Sequence, residues 1–261
     1  MRRNILGKTQ AMGLLFSLWF IAGNSVAQQS MSKADDQPYS LEITPKLHSA
    51  GHSLYSGVYL NHHLNLELNA TFKYKQMGAF ITKYADFADI HSPLNFASIG
   101  IFRSIDFNRH LKFTPYVGYF LTQKNSFMDK GSDMWAGLAV KVTINERVWI
   151  ENTSLVANLL HQAGNPTAMA NRLNGALLIG KFRMDSYLWY THSLDTELHF
   201  VGASLALTTP EWILSPSISA KIQVTMLQKL TDEKPEGALD HGVIISLIVP
   251  INCTPKIEKQ R

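Results

Sequence analysis

The sequence predicts an all-β protein: a transmembrane, antiparallel up-and-down β-barrel of about twelve strands, within a range of about 10 to 14. Residues 64–75 alternate apolar and polar without a break, and a second alternating run spans 214–226. At about 3.3 Å per residue, a strand of that size runs about 40 Å, enough to cross the hydrocarbon of a bilayer when tilted about 45°. Strands of soluble sheets usually have about five or six residues, so the length favours a membrane-spanning strand.

The start of the chain predicts a secretory signal peptide over residues 1–27. Basic residues precede an apolar stretch at 11–22, and residues 25–27, Ser-Val-Ala, have the small-x-small pattern of a cleavage site. No later window approaches eighteen consecutive apolar residues, so no helical membrane anchor is expected. Export together with long alternating strands predicts a location in the cell outer membrane.

Composition limits the remaining chemistry. Cys253 is the only cysteine, which excludes an internal disulfide and a cysteine-based zinc cluster, and we expect neither a metal nor a cofactor. Removing the three basic residues of the signal peptide lowers the formal net charge from +4 to +1, so nucleic acid is not an expected partner. The predicted organisation is a polar leader at 28–38, a barrel at 39–252 and a tail at 253–261.

The predicted barrel divides into segments with a period of two, separated by turn-forming residues. The twelve predicted strands are 41–49, 53–61, 64–75, 95–107, 111–122, 134–145, 148–159, 172–183, 187–194, 197–208, 213–227 and 239–251. Short turns are predicted at 61–63, 108–110, 145–147, 184–186 and 209–212, with long connectors at 76–94, 123–133, 160–171 and 228–238. The two kinds alternate, as they do in bacterial barrels. The segment Met77 to Phe87 is counted with the connector 76–94, because a strand there would break the alternation, but the sequence leaves open whether it is a strand or a loop.

Alternation also assigns faces to the strands. Leu64, Leu66 and Leu68 are predicted to face lipid, while the opposite face carries too much charge for a dry core, since unpaired buried ions cost several kcal/mol each. The interior must therefore hold water or ion pairs. The expected lumen charges are Lys73, Lys75, Lys112, Lys141, Lys221, Glu67 and Glu151. Lysines outnumber acids on this face, which would favour anionic solutes if the lumen conducts, whereas fully paired charges would form a plug.

No catalytic constellation is evident. A His and a Ser two residues apart on a strand would share a face, but the sequence holds no His-x-Ser. His192 and Ser193 are adjacent, so they point to opposite faces and cannot form a nucleophile–base pair directly.

Several segments resemble those of small porin-like outer-membrane barrel proteins of Gram-negative bacteria. They are 113–118 (Phe-Thr-Pro-Tyr-Val-Gly) after a charged turn, Pro216 early in an alternating strand, and Val249-Pro250 near the end. The resemblance is one of architecture over most of residues 39–251. It implies outer-membrane lipids and the barrel assembly machinery as partners, and either passage of small solutes or a plugged structural barrel. Many such barrels end in an aromatic residue, whereas this chain continues past Ile251 with a polar tail.

Three other functions stay open at this point. The leading hypothesis is a monomeric barrel whose interior either passes small solutes, with anionic ones as candidates, or is plugged. A surface-binding barrel would act through its outer loops, at 124–133 and 228–240. A lipid-modifying hydrolase would carry its site on the lipid-facing wall, and a secreted soluble β-protein would not enter the membrane.

Overall fold

The computed structural model describes residues 39–52, 57–89, 92, 94–122, 132–162, 167–194, 199–232 and 238–253. The predicted signal peptide and leader, and residues 254–261 of the tail, lie outside these ranges. The strands are β1 (Tyr39–His48), β2 (Gly51–His52), β3 (Tyr59–Asn61), β4 (Asn65–Tyr74), β5 (Met77–Asp86), β6 (Phe96–Arg103), β7 (Ile105–Asp106), β8 (Leu111–Thr122), β9 (Asp133–Asn145), β10 (Val148–Ala157), β11 (Ala168–Ile179), β12 (Phe182–Ser193), β13 (His199–Thr208), β14 (Trp212–Ser215), β15 (Ile218–Lys229), β16 (His241–Ile248) and β17 (Ile251–Asn252). In this part of the chain, no helix has both the length and the apolar character needed to cross a membrane.

The long strands form one closed antiparallel sheet. Its order runs β13-β12-β11-β10-β9-β8-β6-β5-β4-β1-β16-β15, and pairing between β13 and β15 closes the circle. The short strands β7 and β17 pair with the same neighbours as β6 and β16 and continue them. The sheet is therefore a barrel of twelve spanning strands, which confirms the predicted fold class and strand number.

Two segments behind that number differ from the count made on the sequence, and the differences offset each other. Met77–Asp86, which the sequence left open between strand and loop and which was not counted, is strand β5 and pairs along its length with β4. A turn of two residues at 75–76 is enough to join them. Of the predicted strand 53–61, residues 53–56 lie outside the described ranges, and Tyr59–Asn61 pairs with Gly51–His52 in a separate two-stranded sheet. Alternation within a segment does not reveal which sheet the segment joins.

The two ends of the barrel differ in their connections. The end that carries Tyr39 and β17, here named the short-turn end, has turns at 75–76, 107–110, 146–147 and 180–181 and the β14–β15 hairpin. The opposite, long-loop end has the connectors 49–64, 87–95, 123–132, 158–167, 194–198 and 230–240. The turns predicted at 108–110 and 145–147 are observed. Those at 61–63 and 184–186 are wrong, because 61–63 belongs to a long connector and β11 turns into β12 at 180–181.

The outer wall is apolar. Leu64 is exposed there, Leu66 and Leu68 are half-buried, and the intervening Asn65 and Glu67 are buried inside. Large exposed apolar residues recur around the barrel: Phe72, Tyr74, Ile81, Ile99, Ile101, Leu138, Val142, Leu173, Leu188, Leu205, Val224, Met226, Val243, Ile245 and Leu247. A soluble protein would lose stability by leaving such a continuous belt in water, whereas a bilayer provides a matching surface.

On the inner wall, aromatic rings lie over glycines of neighbouring strands. A Cβ atom at Gly118 would overlap the indole of Trp135, and one at Gly137 would overlap the ring of Tyr116. The missing side chains let the rings lie close to the wall. The buried cluster built in this way comprises Tyr84, Phe96, Phe120, Trp135, Leu155 and Ala157.

We expect Gly118→Ala to destabilise the barrel by about 1–3 kcal/mol, because the new methyl group overlaps both Trp135 and the carbonyl oxygen of Ile99. Gly175→Ala is the matched control, since the only heavy atom within 4 Å of its added Cβ is the Ser186 hydroxyl oxygen at 3.1 Å. Urea unfolding of the refolded proteins in micelles measures the difference. Equal midpoints for the two variants would contradict the packing argument.

Candidate functional site: the barrel interior

Most of the predicted lumen charges occupy inward-facing positions. Lys73, Lys112, Lys141, Lys221, Glu67 and Glu151 alternate with the exposed apolar residues of their strands. Lys75 does not belong to this set. It is exposed in the turn between β4 and β5, with a φ angle of 53°, because β4 ends one residue before it.

Glu67 is the centre of a buried polar network. Its carboxylate is 0% exposed and accepts hydrogen bonds from Lys46 Nζ at 2.6 Å and Tyr84 Oη at 2.6 Å, with His48 Nε2 at 3.2 Å. The other ring nitrogen of His48 lies 2.7 Å from Ser246 Oγ. The network therefore ties together β1, β4, β5 and β16, across the point where the first and last strands meet. These partners satisfy the hydrogen bonds of the Glu67 carboxylate and neutralise its charge, so Glu67 does not act as an isolated charge in the lumen.

Replacing Glu67 with Gln should destabilise the barrel by about 3–5 kcal/mol, because Lys46 loses its buried counter-charge. Glu42→Gln is the control: Glu42 accepts an exposed hydrogen bond from Thr44 Oγ1, and we expect a change below about 1 kcal/mol. Urea unfolding in micelles again provides the measurement. A Glu67→Gln protein as stable as the Glu42→Gln protein would show that the network contributes nothing.

A second charged group, here named the Trp149 cluster, lies on β9–β12 towards the short-turn end. Its members are Lys141, Trp149, Glu151, Arg172, Arg183, Asp185 and Tyr187. Lys141 Nζ lies 4.4 Å from the centre of the Trp149 indole, and Arg183 Cζ lies 5.1 Å from it. Both cations thus share one aromatic ring, an arrangement worth about 0.5–1 kcal/mol per contact at accessible sites.

The carboxylates of the Trp149 cluster neutralise only part of its charge. Arg183 Nη2 lies 2.7 Å from the buried Asp185, and Arg172 Nη2 lies 3.8 Å from Glu151. Lys141 has no carboxylate within ion-pair distance among the described residues. Three cations therefore face two acids. The Arg183 side chain remains 44% exposed, so this part of the interior is accessible to water.

Sequence reasoning missed Arg172 and Arg183 as site residues. The predicted turn at 184–186 fell about four residues too late, which placed Arg183 at the end of a strand instead of at the start of β12. The sequence did carry a signal for Arg172, because Arg172, Asn174 and Ala176 are spaced two residues apart and so share one face of the strand. Asn174 and Ala176 are both buried inside the barrel. That pattern puts Arg172 on the lumen side.

The connector 49–64, here named the inward loop, folds into the long-loop end of the barrel. The ring of Tyr59 covers Gly242 of β16, and Gly57 packs against the indole of Trp189 on β12. Val58 is buried with Phe200 of β13. The described parts of the loop thus reach the inner wall at β12, β13 and β16, and they narrow this end of the interior.

Polar contacts fix the base of the inward loop. Asn61 accepts a hydrogen bond from the Gly51 backbone N–H at 2.9 Å and donates one to Asp86 at 2.8 Å. The rings of His48 and His52 meet edge to face, with centroids 5.2 Å apart. The loop is therefore held by both apolar packing and hydrogen bonds.

The buried His52 makes the seated loop sensitive to acid. This residue lies in β2, outside the spanning strands. Its pKa is lowered from the usual 6.5 to about 3, mainly by burial, with a smaller lowering by His48 and an opposing effect of Glu67. A released loop would return His52 to its usual pKa. The stabilisation of the seated loop is therefore complete above about pH 6.5 and is progressively lost as the pH falls towards 3.

At pH 5 we expect the equilibrium between the seated and the released loop to shift towards release by about 2 kcal/mol, compared with pH 8. This corresponds to a roughly thirtyfold change in the equilibrium constant. Hydrogen–deuterium exchange of peptides from residues 49–64, corrected for the intrinsic effect of pH, measures this opening. His52→Phe removes the ionisable ring and should abolish the acid effect. His110→Phe, in an exposed turn, should keep it; loss of the effect in both variants would place the sensor elsewhere.

The interior therefore has two unlike halves. The long-loop half holds the inward loop, the aromatic cluster around Trp135 and the Glu67 network, whereas the short-turn half carries accessible charges. Among the described residues, no group of three or more His, Cys, Asp or Glu could hold a metal ion. His192 and Ser193 alternate in β12, so they lie on opposite faces of the wall.

Solved structures share this architecture. A NanC porin structure superposes with a TM-score of 0.55 at 8% identity and covers 81% of this chain and 98% of its own. The chain has the fold of a porin. A KdgM porin (TM-score 0.49, 6% identity, 81% and 98% coverage) and the COG4313 outer membrane channel from Pseudomonas putida F1 (0.48, 8%, 86% and 100%) also match. No protein-family model and no curated protein matches the chain.

Proposed function

We propose that this porin-like barrel is an outer-membrane channel that passes small solutes and favours anions. The observation that carries the proposal is the Trp149 cluster, where Lys141 and Arg183 share one indole inside a water-accessible part of the barrel. Water-accessible cations that are only partly neutralised favour a conducting interior over a plugged one, in which the interior charges would be paired. The apolar outer belt and the predicted signal peptide support the location.

Charge balance supports the preference for anions. The Trp149 cluster has one more cation than acid, and the inward-facing Lys73 and Lys221 have no carboxylate within ion-pair distance in the described chain. Lys112 lies 3.9 Å from Asp106, but its side chain is 41% exposed, so this pair is weak. Low-dielectric walls focus the field of such charges on the interior. Anions would therefore be concentrated at the short-turn end.

The inward loop supports a size limit. Because it packs across the long-loop end, a solute would have to pass between the loop and the aromatic cluster around Trp135. Small solutes fit this description better than folded macromolecules do. A plugged structural barrel is the second candidate, since the same packing would favour it if the loop never moves.

Planar-bilayer recording with purified protein tests the proposal. We expect measurable conductance with anions preferred, and the double variant Lys141→Glu/Arg183→Glu should reverse or abolish that preference. The matched control, Arg147→Glu/Lys181→Glu, changes the same two residue types in exposed turns and should keep the preference.

Heat-modifiable gel migration checks that each variant folds. Absence of conductance in the wild-type protein, both at pH 8 and at pH 5, where release of the inward loop is about thirtyfold more favourable, would favour the plugged barrel. Conductance with unchanged ion preference in the lumen double variant would refute the assigned role of the Trp149 cluster. The outer-loop residues 123–131 and 233–237, central to the surface-binding alternative, lie outside the described residues.

A further inference from the structure

The outer wall carries a cluster of side-chain amides at hydrocarbon depth. Asn152 and Ser154 on β10 and Asn171 on β11 alternate with inward-facing residues such as Glu151 and Arg172, so their side chains face lipid. Asn152 lies four residues from the short-turn end of its strand, or about 10 Å along the membrane normal for a tilted strand. Outward amides elsewhere on the described strands are confined to the strand ends.

The cluster satisfies only part of its own hydrogen bonding. Asn152 Nδ2 donates to Ser154 Oγ at 3.3 Å, and Ser154 Oγ donates to Asn171 Oδ1 at 2.7 Å. Within the described chain, this leaves the side-chain oxygen Oδ1 of Asn152 and the side-chain nitrogen Nδ2 of Asn171 without a hydrogen-bond partner. Acyl chains offer neither donors nor acceptors, and an unpaired amide in an apolar medium costs on the order of 2–7 kcal/mol.

We propose that this face, the Asn152–Ser154–Asn171 patch with the surrounding leucines, is the interface of a two-fold symmetric dimer of the chain. The two unpaired groups complement each other in a second copy of the chain: the Asn152 side-chain oxygen can accept a hydrogen bond, and the Asn171 side-chain nitrogen can donate one. A two-fold axis through the patch brings Asn152 opposite the partner subunit's Asn171, and the reverse pair forms at the same time. Polar side chains join membrane-embedded elements in this way.

Packing around the amides fits the same arrangement. Leu173 pairs across the sheet with both Asn152 and Leu188, and these two leucines and Leu138 are exposed on the outside. They would seal the amides from lipid once a second copy covers them. The proposal differs from the monomer that the sequence analysis expects. It rests on the membrane location in the proposed function and is independent of conduction.

Disulfide cross-linking in native outer membranes tests the dimer. In a Cys253→Ser background, Leu173→Cys lies close to the proposed axis, and Ile81→Cys is its matched control on another wall; the two native residues are 45% and 46% exposed. With copper phenanthroline as oxidant, we expect a band at twice the chain mass that is at least fivefold stronger for Leu173→Cys than for Ile81→Cys. Adding Asn152→Leu and Asn171→Leu should reduce its yield to that of the control.

Each other outcome has a distinct meaning. Equal yields at the two positions indicate random collision and overturn the proposal. A band of another mass at Leu173→Cys indicates a different protein partner and also overturns it. A chain that fractionates away from the membrane refutes the proposed location instead. If the amide double variant fails to fold, as judged by heat-modifiable migration, the comparison of the two single cysteines still decides.

Discussion

Closure of the sheet between β13 and β15 is the constraint on which the structure depends. In hydrocarbon, no water is available to pair with the backbone N–H and C=O groups of an edge strand, so an open sheet of this length would leave a full row of them unsatisfied. The seven residue pairs between Gly202–Thr208 and Gln223–Lys229 remove that edge. Once the circle is closed, each side chain has only two destinations, lipid or lumen. The period of two in the sequence is the consequence.

Closure of the sheet fixes the circumference of the barrel but not what occupies its interior. The two halves of the interior are filled by different kinds of side chain. Towards the long-loop end, glycines such as Gly118 and Gly242 create flat places on the wall, and the rings of Trp135 and Tyr59 occupy them. Glu67 is buried there only because several donors surround it. Towards the short-turn end, the side chains keep contact with water. The inward loop thus adds to the packing of the long-loop half, while the short-turn half stays accessible.

The sequence alone predicts the barrel and most inward charges, because both follow from alternation, whereas the strand number is right because two segment differences offset each other. It fails where alternation is weak or ambiguous. Strand β5 carries aromatic Phe80 and Tyr84 on its inner face and Lys83 on its outer face, so its polarity pattern resembles that of a loop. The inward loop has residues with strand-like spacing, and nothing local shows that Tyr59 packs inside the barrel. Arg183 was missed as a lumen residue because the turn between β11 and β12 was predicted about four residues too far along the chain.

The way in which a cation is held decides what it does in the lumen. Lys46 is neutralised by Glu67 at 2.6 Å, so it stabilises the wall but contributes little field to the interior. Lys141 rests on an aromatic face instead, and an indole carries no net charge to cancel that of the ammonium group. Lys141 is therefore positioned without being neutralised, whereas Arg183 on the same ring is paired with Asp185. A channel that attracts anions needs this combination, because flexible lysines would be poorly placed and ion-paired lysines would be electrically silent.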